Sequence, residues 1–89
     1  MYNDVRRNTR QMEAGDIVRH FKGKLYVIEG FAEHTETAEG LVIYRALYPP
    51  FKVYARPVGM FMSTVDKLKY PTATQEYRFE RMNYGGTMI

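Results

Sequence analysis

Alternation of apolar and polar side chains dominates this chain from residue 17 onward. Ile17 to Phe21 alternates, with Ile17, Arg19 and Phe21 on one side and Val18 and His20 on the other. Lys22-Gly23 supplies a tight turn, and Lys24 to Ala32 is rich in Leu, Tyr, Val, Ile and Phe, so the two runs predict a hairpin. Gly30 within the second run predicts a bulge or sharp bend. Glu33 to Gly40 reads as a polar loop. Leu41 to Tyr48 is the strongest strand, with Leu41, Ile43, Arg45 and Leu47 alternating against Val42, Tyr44, Ala46 and Tyr48. Two apolar faces predict a central strand buried on both sides. Pro49-Pro50 ends it, because proline offers no N–H to a ladder. Lys52 to Arg56 predicts a further short strand. Pro57 opens one helical turn through Met60, Phe61 to Val65 returns to extended structure, and Tyr77 to Glu80 adds an edge strand. Lys67 to Gln75 is expected to be a loop anchored by Tyr70-Pro71.

Short strands, tight turns and one helical turn predict a mostly β domain: a small, strongly bent antiparallel sheet, an SH3-like partly closed barrel, with a short N-terminal helix as an option. Residues 1–14 are expected to form that helix or an arm, residues 15–81 a single small β domain, and residues 82–89 a frayed tail. At 89 residues the core must be small and single, since a domain of this size buries only roughly 60–65% of its unfolded surface.

Composition narrows the class. Cysteine is absent, which excludes disulfides and thiolate metal sites and predicts a cytoplasmic protein. No apolar run is long enough to span a membrane, so no membrane partner is expected. The net charge of +3 is modest and uneven: Arg6, Arg7 and Arg10 lie in the arm, Arg19, Lys22 and Lys24 in the first hairpin, and Glu33, Glu36 and Glu39 around His34. A committed duplex binder would carry a continuous basic stripe, so an ordinary solvated surface is the leading reading and nucleic acid the alternative.

Four runs mix aromatic, cationic and hydroxyl groups more densely than folding requires: residues 19–23, 34–37, 42–48 and 54–57 with Met60-Phe61. His20 and His34 could hold a metal with Glu36, but their spacing matches no ligand motif, and no metal or other cofactor is expected. Either imidazole could act as a base, yet Ser63, the single serine, sits in no nucleophile motif. Thr35-Glu36-Thr37 after His34 could bind a ligand's polar groups or simply cap its own turn. Arg45 and Arg56 offer planar forks for carboxylate or phosphate, with Tyr26, Tyr44, Tyr48 and Tyr54 as stacking partners; the same groups could equally form a stabilising lattice. Met60-Phe61-Met62 is expected to plug the barrel end.

Arg19-His20-Phe21-Lys22-Gly23, His34-Thr35-Glu36-Thr37, Tyr44-Arg45-Ala46-Leu47-Tyr48, Ala55-Arg56-Pro57 with Met60-Phe61, and Tyr70-Pro71 through Gln75, Tyr77, Arg78, Phe79 and Glu80 resemble a family of small bacterial proteins, domain-of-unknown-function family 1653. The resemblance runs over about residues 15–80. It departs at Pro49-Pro50, where the family commonly places a glycine. It implies a bacterial cytoplasmic protein, often a stand-alone domain, and carries no activity with it.

The leading expectation is therefore a binding module, monomeric or homodimeric, that recognises a small anionic ligand, or an acidic peptide or nucleotide group. Its ligand-binding residues would be Arg19, His20, His34, Thr35, Glu36, Thr37, Tyr44, Arg45 and Arg56, brought together where their strands converge. A protein partner is also open. The alternatives are a nucleic-acid or ribonucleoprotein-associated module and, third, a small enzyme using a histidine base.

Overall fold

The computed structural model describes residues 12–82. The expected N-terminal helix or arm falls largely on residues 1–11, and the expected tail on residues 83–89; both lie outside the described residues. Among the described residues, five strands form one antiparallel sheet: β1 (Ile17–His20), β2 (Leu25–Glu33), β3 (Gly40–Ala46), β4 (Val53–Pro57) and β5 (Phe79–Arg81). One helical turn, α1 (Val58–Phe61), separates β4 from β5. The sheet order is β4-β3-β2-β1-β5, so β1 to β4 form a meander and β5 returns beside β1. This is the expected mostly β domain with very little helix. Among the described residues the sheet is open, with β4 and β5 as its outermost strands.

The turns form where the chain can make them. Gly23 takes φ +112, a conformation that a side chain disfavours, and its N–H closes onto the His20 carbonyl at 2.7 Å. The β2–β3 register shifts between Ile28 and Gly30, so Glu29 is the extra residue of a bulge at the expected place. Pro57, with φ −54, leads directly into α1. A Cβ at Gly40 would sit 3.4 Å from the Val58 side chain, so α1 packs against the start of β3.

The core lies on one face of the sheet. Val18, Ile28, Val42, Tyr44 and Phe79 point into it and pack with Met12 and Phe61. Phe61 stacks on Phe79 with centroids 4.1 Å apart and planes 4° from parallel, which ties α1 to the β5 edge. Beyond α1, the Arg78 N–H donates to the Ser63 carbonyl at 2.8 Å and the Val65 N–H to that of Glu76 at 2.8 Å. These bonds partly bridge the gap between the two sheet edges.

Two expectations need correction. The strand over residues 41–48 is interior, but it is not buried on both faces. Val42, Tyr44 and Ala46 face the core, Ile43 is half-buried and Leu47 is 39% exposed. A single sheet layer can seal only one face, and here the aromatic face wins. The extended run expected over residues 61–65 also shrinks: Phe61 ends the helix, and a lone bridge between Thr64 and Tyr77 is what remains.

This asymmetry sets the expected stability changes. Ile28, 1% exposed, should cost roughly 2–5 kcal/mol on truncation to alanine. Leu47→Ala should cost less, about 1 kcal/mol, because 39% of its surface stays in water in the folded state. Urea titrations of both variants check the pair; equal losses would show that the outer face is sealed too.

Candidate functional site

A cavity of about 410 Å³ opens between the two edges of the sheet. The β1–β2 turn supplies His20, Phe21 and Lys22, β4 supplies Arg56, the segment after α1 supplies Thr64, Val65, Asp66, Lys69 and Tyr70, and Arg78 precedes β5. Four cations thus face one carboxylate.

Each cation is held by neutral groups: the arginines through Nε, the lysines through an aromatic ring. Arg56 donates its Nε to the hydroxyl of buried Tyr44 at 3.0 Å, and its guanidinium lies 5.9 Å from the centre of the Phe79 ring. Arg78 donates its Nε to the Met60 carbonyl and to Ser63 Oγ, both at 3.1 Å. Among the described residues, the terminal nitrogens of both arginines have no hydrogen-bond partner and neither makes an ion pair. Lys22 sets its ammonium 5.2 Å from the centre of the Tyr70 ring and Lys69 sets its own 5.7 Å from it, with Phe21 packed edge-on against the same ring at 4.9 Å. Aromatic contact holds these ammoniums without neutralising them.

His20 is half-buried in this arrangement, stacked on Phe21 at 4.5 Å and edge-on to Phe79 at 5.0 Å. Burial pushes its pKa down to about 4, and the charges of Arg78, Arg56 and Lys22 push the same way. Its Nδ1 accepts the Lys22 N–H at 3.0 Å, which assigns the proton of the neutral ring to Nε2. His20 is therefore a weak base at neutral pH and a fixed N–H donor.

The structure brings His20 and Arg56 of the expected site together and places the others elsewhere. Tyr44 is buried and acts through Arg56. Arg45 leaves the opposite face of β3 and pairs with Glu29 at 2.7 Å, both side chains well exposed, so the pair adds little. Arg19 turns away from its neighbour His20 and donates to Gln75 at 3.0 Å. Gln75 is 7% exposed and donates in turn to the Arg19 and Tyr77 carbonyls at 3.1 Å, pinning the loop to β1. His34 caps its own turn: its Nδ1 accepts the Glu36 N–H at 3.1 Å and the Thr37 N–H at 3.3 Å, while Thr37 Oγ1 accepts the Glu39 N–H. Thr35, Glu36 and Thr37 belong to that turn, none of them lining the cavity. The convergence of all four motifs on one surface, expected from the sequence, is therefore not found. Among the described residues, no three His, Asp or Glu side chains gather as a metal-ligand set, nor is any helix long and apolar enough to cross a membrane.

Sequence reasoning missed Lys22, Asp66, Lys69, Tyr70 and Arg78 as site residues. A signal existed for three of them, since Lys22, Tyr70 and Arg78 fall inside the runs that carry the family resemblance.

Comparison with known proteins bears on those same runs. Residues 16–81 match the family described as protein of unknown function DUF1653. The chain belongs to that family. Among solved structures it is similar to a DUF1653 protein from Bordetella bronchiseptica, with 28% identity, a TM-score of 0.66, and coverage of 83% of this chain and 91% of that one. No curated protein matches the chain. The matched segment of the DUF1653 fold contains every residue that lines the cavity.

The cavity makes a pH prediction. In the unfolded chain His20 has its ordinary value of 6.5, against about 4 when folded, so between those values the unfolded chain binds more protons. The stability linked to His20 is complete above about pH 6.5 and is lost as the pH falls toward 4. Imidazole NMR should give a His20 midpoint near 4, rising in Arg78→Gln. A midpoint near 6.5 would mean that the ring is solvated and the cavity open to water.

Proposed function

We propose that this DUF1653 domain is a small binding module that captures a phosphate or carboxylate group in the cavity between β4 and β5. One observation carries the reading. Two guanidiniums, whose terminal nitrogens have no hydrogen-bond partner among the described residues, and two ammoniums line one concave space, with Asp66 the sole carboxylate among the lining residues. Like charges gathered in a recess repel one another, and the recess focuses their field on an incoming anion. Arginine forks suit such a group because two parallel N–H donors match two oxygens. The cavity volume is in the range of small-ligand sites, which run from about 300 to 1,000 Å³.

Binding fits the chemistry better than catalysis. Ser63 Oγ donates to the Met60 carbonyl at 2.7 Å and accepts from Arg78, so it is engaged in structure. His20 is too weak a base to activate a hydroxyl near neutral pH. We read the module as cytoplasmic, a reading the absence of cysteine supports.

Calorimetry with inorganic phosphate at low salt tests this. The wild-type domain should bind saturably. Arg56→Lys keeps the charge but loses the fork, and should weaken binding by about tenfold or more while the melting temperature moves only a few degrees. Arg78→Gln should weaken it similarly, and His34→Ala should leave affinity unchanged. Absence of phosphate binding, or full affinity in Arg56→Lys, would overturn the reading. Salt-sensitive binding of single-stranded oligonucleotides without phosphate binding would favour a nucleic-acid module instead.

A further inference from the structure

Asp66 is the odd member of the cavity. Its Oδ1 accepts the Leu68 N–H at 3.0 Å and the Lys69 N–H at 3.3 Å, and its own carbonyl accepts the N–H groups of Lys69 and Tyr70 at 3.1 and 2.8 Å. The turn over residues 66–70 therefore fixes the carboxylate. Its other oxygen, Oδ2, has no hydrogen bond among the described residues, and none of the four cavity cations forms an ion pair with it. A carboxylate that only capped a turn would need one oxygen and no place in a cationic cavity. Here a solvent-exposed acceptor lines the same cavity as two arginines, two lysines and His20.

We infer that Asp66 sets the specificity of this site, which takes an anion carrying its own hydrogen-bond donor, namely hydrogen phosphate or a phosphate monoester with an adjacent hydroxyl, and rejects a fully deprotonated oxyanion. The inference rests on the anion-binding reading above. Hydrogen phosphate gives oxygens to the guanidiniums and its hydroxyl proton to Asp66 Oδ2. Sulfate has the same shape and offers lone pairs alone. Against Asp66 it meets an acceptor facing an acceptor, with one charge repelling the other. Leaving such a contact unsatisfied is the stronger penalty in recognition, because the site's own polar group loses water and gains no partner. Thr64, whose hydroxyl can donate or accept, does not discriminate.

The test compares inorganic phosphate with sulfate by calorimetry at pH 8 and matched ionic strength, where both are dianions and differ by one proton. Wild-type protein should prefer phosphate by about tenfold or more, the order expected for one unmatched polar contact. Asp66→Asn keeps an oxygen to cap the turn and replaces the free acceptor with a donor. In this variant the preference should fall toward unity, mainly because sulfate binds better. Equal affinity of the wild type for the two anions, or an unchanged ratio in Asp66→Asn, overturns the inference while leaving the anion site standing. Failure of both anions to bind overturns the anion site and the inference together. A circular dichroism melt of Asp66→Asn within a few degrees of wild type shows that the turn is kept.

Discussion

The hydrogen bond from Arg56 Nε to the Tyr44 hydroxyl joins the interior of this protein to its cavity. Tyr44 is 3% exposed and touches Tyr26, Tyr54, Phe61 and Phe79 edge-on or tilted, with ring centroids between 5.1 and 5.6 Å. Its phenol body is core, and its hydroxyl would be an orphan without Arg56. The pairing satisfies a buried polar atom and fixes the long arginine side chain at one point, leaving its fork free. The stack of Phe61 on Phe79 completes the arrangement by holding α1, and hence the Met60 carbonyl that steadies Arg78, against the β5 edge.

Charge distribution follows from that frame. Arg45, which has a carboxylate partner in Glu29, lies on the outer face of the sheet and also donates to the Phe51 carbonyl at 3.3 Å. Where arginines are braced through Nε by neutral oxygens, as Arg56 and Arg78 are, their charge stays uncompensated. His20 stays neutral because it is partly buried and, to a smaller extent, because both arginines and Lys22 repel its charge. The cavity thus combines cations that cannot discharge with an imidazole that does, a pattern that concentrates positive potential and donor groups at one place.

The β pattern, the Lys22-Gly23 turn, the bulge at Gly30 and the helical turn after Pro57 were all readable in the chain, because each is a local consequence of residue type. Which face of β3 turns inward was not. Leu41, Ile43 and Leu47 look as apolar as Val42, Tyr44 and Ala46, and only the distant rings of Phe61 and Phe79 decide for the second set. His34 misled for a related reason: a histidine that caps its own turn has the same local sequence as one that waits for a ligand. Half of the cavity wall escaped notice because Asp66, Lys69 and Arg78 meet the His20 turn across more than forty residues of chain, a contact that no local pattern encodes. Arg56 stands out in the sequence beside tyrosines, and the partner it uses, Tyr44, is among the rings named for it.

The most direct measurement is an NMR titration with inorganic phosphate that follows the side-chain Nε–H signals of all arginines at once. The account predicts that Arg56 and Arg78 move together and saturate, while Arg19 and Arg45, bonded to Gln75 and Glu29, stay in place. Small shifts shared equally by all four, rising without saturation, would mean general charge screening and would contradict a built anion site.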